Sequence, residues 1–182
     1  MNMKYIRRAT MALLAAFSMW SYTAKAQQAT EMDYDAQYAT ELVKPGTKAP
    51  DFELNSPDGK KVSLSQFKGK YVVLDFWASW CPDCRKDAPN IVAMYNKYKD
   101  KGVAFVGVSF DTDVAQWKAA IEKYGMKYAH VSELKKMREA NISKAYGVKW
   151  IPSMVLVDPQ GKVVMGTVLS TKLEKELEKL FK

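Results

Sequence analysis

Residues 71–84 read YVVLDFWASWCPDC and place a mostly apolar run directly before two cysteines. The run Tyr71–Trp77 has the length and composition of a central β-strand that is buried on both faces. After the first cysteine, Pro82–Tyr98 carries apolar residues at helical spacing. The sequence therefore predicts a strand, a short loop and a helix, with Cys81 and Cys84 at the start of the helix.

The spacing of the two cysteines predicts redox chemistry. Two intervening residues at a helix start allow the sulfurs to meet within one turn. The first sulfur then faces the unpaired N–H groups and the positive end of the helix dipole, which stabilise a thiolate. We therefore expect Cys81 to be the nucleophile. Cys84 is the expected resolving thiol, which attacks the mixed disulfide and releases the reduced substrate.

Other interpretations of the cysteine pair are less favoured. A purely structural disulfide is an alternative, although such a small ring constrains little of the unfolded chain. A metal site would need further ligands, and His130 is the only histidine. Covalent haem attachment needs a histidine directly after the second cysteine, where this chain has Arg85. We expect no metal and no cofactor other than the redox-active Cys81–Cys84 disulfide.

The N-terminal residues 1–26 predict a cleavable signal peptide. Three basic residues within the first eight precede a short apolar run over 9–20, and Ala-Lys-Ala at 24–26 matches a signal-peptidase site. The apolar run is too short for a bilayer, which takes roughly 20 residues to cross. We expect cleavage after Ala26 and a periplasmic or otherwise exported protein. An uncleaved membrane anchor is the alternative.

The charge balance does not favour nucleic acid as a partner. The chain has 28 Lys and Arg against 20 Asp and Glu, a formal charge of +8. Four of the basic residues lie in 1–26, so the predicted mature chain retains 24 against 20, a charge of +4. No basic stripe with interleaved aromatic residues stands out. Apolar residues make up 48% of the chain, which is enough for a packed core.

The rest of the chain predicts a flexible leader over 27–44 and one α/β domain over 45–182. Within the domain, periodicity predicts a mixed central sheet flanked by helices, with an N-terminal β-hairpin. Ser132 is the predicted N-cap of a helix that runs toward Tyr146. The remaining predicted elements are a hairpin over 52–64, strands over 103–110 and 128–131, a helix over 113–124, a second hairpin over 153–166 and a helix over 171–182.

Several of these segments resemble the thioredoxin-like superfamily. The stretch DFWASWCPDC over 75–84 resembles the active-site segment of thioredoxins, and Pro89 matches their helix-kinking proline. The stretch YGVKWIPS over 146–153 resembles the segment that carries the cis-proline of the family. The resemblance extends over about residues 45–182 and implies a thioredoxin-like fold.

Other motifs are similar to the exported TlpA/ResA-like branch, which is related to AhpC/TSA redoxins. They are KAPDF over 48–52, LSQFKGK over 64–70 and VGVSFD over 106–111. The predicted helix and short strand between Asp111 and Lys144 resemble the central insertion of this branch.

The resemblance also implies roles for further residues. A cis peptide at Ile151–Pro152 would leave a backbone edge beside the cysteines for an extended substrate. Asp75, buried beneath Cys84 with a raised pKa, would accept the proton of that thiol. The other residues expected to contact substrate are Trp80, Pro82 and Trp150.

The implied function is an exported thiol–disulfide oxidoreductase that reduces protein disulfides. Its expected substrates include apocytochrome c, and its electrons would come from a membrane thiol transporter. Asp83, an acid between the cysteines, is expected to raise the pKa of Cys81 and favour a reducing couple, against the opposing charges of Arg85 and Lys86.

Two alternatives belong to other functional classes. A peroxidase of related fold would carry proline and threonine seven and three residues before its cysteine, where this chain has Leu74 and Ala78. A copper-handling or adaptor protein of this fold typically has three residues between its cysteines and a histidine ligand. Here the spacer has two residues.

Overall fold

A computed structural model describes residues 33–182. The chain divides into two units, 1–33 and 34–182, and the second unit carries the fold described below. The predicted signal peptide and its cleavage site lie outside the described residues. Within 33–182, no helix combines the length and the apolar character needed to cross a membrane.

Seven strands of the described residues form one mixed sheet. They are β1 (Glu53–Asn55), β2 (Lys61–Ser63), β3 (Tyr71–Trp77), β4 (Val103–Ser109), β5 (Ala129–Ser132), β6 (Ser153–Val157) and β7 (Val163–Thr167). Their order in the sheet is β2-β1-β5-β4-β3-β6-β7. The pairs β3–β4 and β4–β5 are parallel, and the other neighbours are antiparallel. The predicted α/β class, mixed sheet and N-terminal hairpin are therefore confirmed.

In the part of the chain that the structure describes, five helices flank the sheet. The second and fifth lie side by side, and Lys97 of the second forms ion pairs with Glu174 and Glu178 of the fifth at 3.7 and 2.9 Å. Short 3₁₀ turns follow β2 and the second helix. The helices are α1 (Tyr34–Tyr38), α2 (Pro82–Tyr98), α3 (Val114–Lys123), α4 (Asn141–Tyr146) and α5 (Ser170–Leu180).

Strand β3 is central and leads directly into the cysteine pair. Six of its seven residues are buried, because β4 and β6 pair with it on either side. The chain then turns and begins α2 at Pro82, a position where the missing N–H of proline has no helical partner to lose. Pro89 lies inside this helix, as the thioredoxin resemblance implies.

The segment that precedes the domain is more ordered than its sequence predicts. We expected a flexible leader over 27–44, but residues 34–44 include helix α1, and Leu42 is only 2% exposed. Asp35 accepts hydrogen bonds from Thr167 Oγ1 and Val168 N, both at 2.8 Å. Ala39 and Leu42 are buried and the Asp35 carboxylate is paired, so a polar composition did not prevent this segment from packing against the domain.

The expected helix from Ser132 toward Tyr146 is also shorter than predicted. Ser132 ends strand β5, and its Oγ accepts the N–H of Leu134 at 2.9 Å. Leu134 has a φ of 54°, which turns the chain away from a right-handed helix. Only Asn141–Tyr146 is helical, and the carboxylate of Glu133 accepts the Ile142 N–H at 2.8 Å.

Candidate active site

The cysteine pair lies at the N-terminus of α2. Cys81 is the N-cap residue, and its Sγ accepts the backbone N–H of Cys84 at 3.1 Å. The two residues form a disulfide with their Cα atoms 5.3 Å apart, and each is 4% exposed. A thiolate formed at Cys81 on reduction would therefore meet the positive end of the helix dipole and a donated hydrogen bond.

The loop before β6 lies against the first cysteine. The Ile151–Pro152 peptide bond is cis, and the Ile151 carbonyl oxygen lies 3.6 Å from Cys81 Sγ. Ser153 Oγ donates to the Trp150 carbonyl at 2.7 Å and holds the loop in place. The structure thus brings Cys81 next to the Ile151–Pro152 peptide, although Cys81 and Ile151 are 70 residues apart in sequence.

A buried carboxylate holds the loop between β3 and α2. Asp111 is 1% exposed and accepts from Ser79 N at 3.1 Å, Ser79 Oγ at 2.6 Å and Ser109 Oγ at 2.7 Å. Its contacts fix the backbone two residues before Cys81. Asp111 was not among the residues predicted to have a role in the site. An acid directly after a buried strand is the signal that would have identified it.

Asp75 lies within β3 and is 3% exposed. Its pKa is raised to about 7, mainly by burial and also by the nearby charge of Asp87, while a hydrogen bond from Tyr128 acts to lower it. Asp87 lies on α2 one turn after Cys84, and its charge acts on Asp75, so the first turns of α2 lie close to this carboxyl group. The site therefore contains a carboxyl group that changes protonation near neutral pH.

The aromatic residues divide between core and surface. Trp77 is buried in the core, whereas Trp80 and Trp150 are 54% and 40% exposed. Trp150 stacks on Tyr38 of α1, with ring centroids 4.4 Å apart.

A groove of about 530 Å³ lies beside Pro152. Trp80 is not among the residues that line it, and Pro82 lies exposed at the start of α2. The lining residues include Tyr34, Tyr38, Asp83, Trp150, Pro152 and Leu169.

The described residues hold no group of three or more His, Cys, Asp or Glu side chains suited to a metal ion. His130, the single histidine of the chain, is buried against the rings of Tyr128 and Trp77, at centroid distances of 4.6 and 5.8 Å.

A cysteine pair that closes and opens a small ring at a helix start performs thiol–disulfide exchange, and the surrounding fold is shared with thioredoxin-domain proteins. The protein is therefore a thiol–disulfide oxidoreductase. The chain belongs to the AhpC/TSA family, which matches residues 45–165.

Individual relatives agree with this class. Thiol-disulfide oxidoreductase ResA of Bacillus thuringiensis subsp. konkukian is 37% identical over 139 residues, covering 74% of this chain and 78% of the relative. The thioredoxin domain of a thiol-disulfide oxidoreductase from Bacteroides vulgatus is 36% identical, with a TM-score of 0.70, over 77% of this chain and 99% of that one. A thiol:disulfide interchange protein from a Bacteroides species is 37% identical, with a TM-score of 0.69, over 76% and 91%.

Proposed function

We propose that this oxidoreductase is exported and reduces disulfide bonds in other proteins. The observation that carries the proposal is the position of Cys81, whose sulfur caps α2 and lies 3.6 Å from the carbonyl of the cis-proline loop. A nucleophilic sulfur and a backbone edge that can pair with an extended chain thus lie side by side.

The proposed reaction has two exchanges. The thiolate of Cys81 attacks a substrate disulfide, forms a mixed disulfide and releases one substrate sulfur as a thiolate. Cys84 then attacks Cys81 Sγ, which closes the Cys81–Cys84 disulfide and releases the second substrate sulfur. The substrate gains two electrons, which the enzyme dithiol supplies. Asp75 is the proposed acceptor of the Cys84 proton, since its pKa of about 7 suits this transfer near neutral pH.

The groove beside Pro152 supports a polypeptide substrate. Its aromatic wall, where Trp150 stacks on Tyr38, offers contact area for side chains that flank a substrate cysteine. We propose that Ile151 and Pro152 contact the substrate backbone. Trp80 and Pro82, both exposed beside the cysteines, complete the proposed contact surface.

Export and the cellular partners are proposed from the sequence. The charged start, short apolar run and Ala-Lys-Ala site over 1–26 support a signal peptide that is cleaved after Ala26. The resemblance to TlpA/ResA-like proteins supports a membrane thiol transporter as the electron donor. The same resemblance supports apocytochrome c among the substrates.

The test is to trap the mixed disulfide in cells. Cys84→Ser removes the resolving thiol, so substrates should accumulate on Cys81 as reducible adducts on non-reducing gels. The matched control, Cys81→Ser, should accumulate far fewer adducts. If Cys84→Ser traps no protein, or if both variants trap equally, the proposed reduction of protein disulfides through Cys81 is wrong.

A further inference from the structure

The absence of a side chain at Gly107 leaves room in the central sheet for a buried aromatic cluster close to Asp75. Asp75, Gly107 and His130 pair in one row across β3, β4 and β5. Gly107 has no side chain, and the His130 ring occupies the space above it. A Cβ at Gly107 would overlap this ring and lie 3.1 Å from Trp77 Nε1. Glycine at this position therefore leaves room for the His130 ring in the row that contains Asp75.

Tyr128 lies two residues before His130, and its hydroxyl reaches Asp75. It donates to Asp75 Oδ2 at 3.4 Å, across 53 residues of sequence. Its ring stacks on His130 at a centroid distance of 4.6 Å with 28° between the planes. The rings of Tyr95 and Phe105 also contact it, at 5.4 and 6.0 Å. The ring is thus held by its neighbours while its hydroxyl is directed at Asp75.

The groups that face Asp75 differ in their effect on its charge. On α2, Asp87 opposes ionisation, and Cys84 lies one turn before it. The strand neighbours paired with Asp75, Gly107 on β4 and Met154 on β6, are not titratable.

His130 on β5 is neutral near pH 7, because burial lowers its pKa to about 4. Burial also raises the pKa of Tyr128, so its phenol keeps its proton. Of the groups that face Asp75, Tyr128 therefore favours the carboxylate by donating a hydrogen bond to it.

We propose that Tyr128 is a positioning residue for thiol–disulfide exchange: its hydroxyl orients Asp75 to receive the proton of Cys84, and His130 holds the Tyr128 ring in place. The inference rests on the role proposed above for Asp75. In the resolving step, the Cys84 S–H bond breaks and its proton passes to Asp75. The Cys81–Cys84 bond forms, the bond from Cys81 to the substrate breaks, and the substrate sulfur leaves with the electron pair. Tyr128 loses no proton in the step.

The experiment separates the two exchanges with an aromatic disulfide, 5,5′-dithiobis(2-nitrobenzoate). Reduced protein releases one coloured thiolate when Cys81 attacks and a second when Cys84 resolves, so stopped-flow absorbance gives both rates between pH 5 and 9. Tyr128→Phe keeps the ring and removes the hydroxyl. Tyr95→Phe is the matched control, because it removes a hydroxyl that donates to the Lys127 carbonyl at 3.2 Å instead of to Asp75.

We expect Tyr128→Phe to move the midpoint of the second phase upward by about 0.5–1 pH unit, which slows that phase roughly three- to tenfold below the midpoint. The first phase and the Tyr95→Phe control should follow the wild type. A ¹³C titration of the Asp75 carboxyl in the reduced protein should show the same upward shift, which a purely structural role for Tyr128 would not produce. An unchanged midpoint and an unchanged carboxyl titration in Tyr128→Phe would overturn the inference.

Two further variants separate the inference from the proposed function. If Asp75→Asn leaves the pH dependence of the second phase intact, the proposed role of Asp75 is wrong. If Asp75→Asn removes that dependence while Tyr128→Phe behaves as wild type, the role of Tyr128 alone is wrong. His130→Ala retains every hydroxyl but removes the stacking, so it should shift the midpoint in the same direction as Tyr128→Phe. An unshifted midpoint would overturn the part assigned to His130.

Discussion

Asp75 lies inside the sheet at 3% exposure, and burial raises its pKa to about 7, whereas an aspartate in an unfolded chain titrates near about 3.9. Between these two values the native state holds a proton that the unfolded state has lost. The free energy of unfolding must therefore fall as the pH rises through this range. The neutral carboxyl contributes stability at low pH, and this contribution is lost as the pH passes about 7.

Replacing Asp75 with asparagine should remove this pH dependence. For the oxidised wild type, we expect the free energy of unfolding in urea to be lower at pH 8 than at pH 5, by at most roughly 3 kcal/mol from this group. Asp75→Asn should flatten the difference. Asp58→Asn is the matched control, because the Asp58 side chain is 72% exposed. A pH dependence that is equally steep in wild type and Asp75→Asn would show that Asp75 is ionised in the native protein throughout.

At the scale of elements, local patterns predicted more than long-range contacts did. The bounds of β3 and α2 match their predicted ranges, Tyr71–Trp77 and Pro82–Tyr98, because an apolar run and a helical period are visible within the segment itself. The hydrogen bond from Tyr128 to Asp75 depends on the pairing of β3, β4 and β5, which no local pattern encodes. The cis-proline loop was predicted from the thioredoxin resemblance, because no pattern of apolar and polar residues indicates a cis peptide bond.

The leader is a second case in which a local sequence pattern failed to predict long-range contacts. Its polar composition predicted flexibility, but Leu42 packs against β7, where a Cβ added at Gly166 would lie 3.2 Å from Leu42 Cβ. A Cβ at Gly147, which has a φ of 67°, would overlap the Glu41 carbonyl oxygen. Whether this segment is ordered therefore depends more on the buried contacts of a few residues than on its average composition.

Shortening Leu42 should destabilise the whole domain. Leu42→Ala removes a side chain that is 2% exposed, so we expect a loss of about 2–4 kcal/mol in the free energy of unfolding. The control is Leu180→Ala at the end of α5, where the side chain is 38% exposed and the loss should be about 1 kcal/mol or less. Chemical denaturation of both variants provides the comparison. Equal and small losses would mean that the leader does not stabilise the domain in solution.

At the scale of the molecule, the leader, α2 and the cis-proline loop together form the groove. Tyr38 of α1 stacks on Trp150 of the loop, and Asp83 and Pro152 contribute to the same surface. Residues far apart in sequence therefore line one groove, which includes Asp83 from between the two cysteines. If this groove binds substrate as proposed, a protein substrate contacts much more of it than a small disulfide does.

Removing the Trp150 ring should distinguish these two kinds of substrate. We expect Trp150→Ala to lower kcat/KM about tenfold for a disulfide-bonded protein, since exposed tryptophans at the centre of an interface often contribute more than 1 kcal/mol. Reduction of a small aromatic disulfide should change less than about twofold. Tyr124→Ala, at the C-terminal end of α3 and outside the groove lining, should affect neither substrate. Equal losses of kcat/KM for both substrates would mean that Trp150 holds the active site in place and does not contact the protein substrate.

We propose that the charge of Asp83 favours a reducing enzyme. Asp83 lies in the first turn of α2, between the two cysteines, where a negative charge opposes the formation of a nearby thiolate. Lys86 pairs with Asp83 at 3.5 Å, but both side chains are largely exposed, so this ion pair offsets the effect only in part. A dithiol whose thiolate is less stabilised gives up its electrons more readily.

The most direct test of the account is the reduction potential of the Cys81–Cys84 pair. The protein is equilibrated with defined ratios of reduced and oxidised dithiothreitol or glutathione, and the fraction of disulfide is measured after acid quenching. We predict a potential of about −250 mV or lower, close to the roughly −270 mV of thioredoxin. A value near about −120 mV, as in the strong oxidant DsbA, would contradict it and make the protein a donor of disulfides.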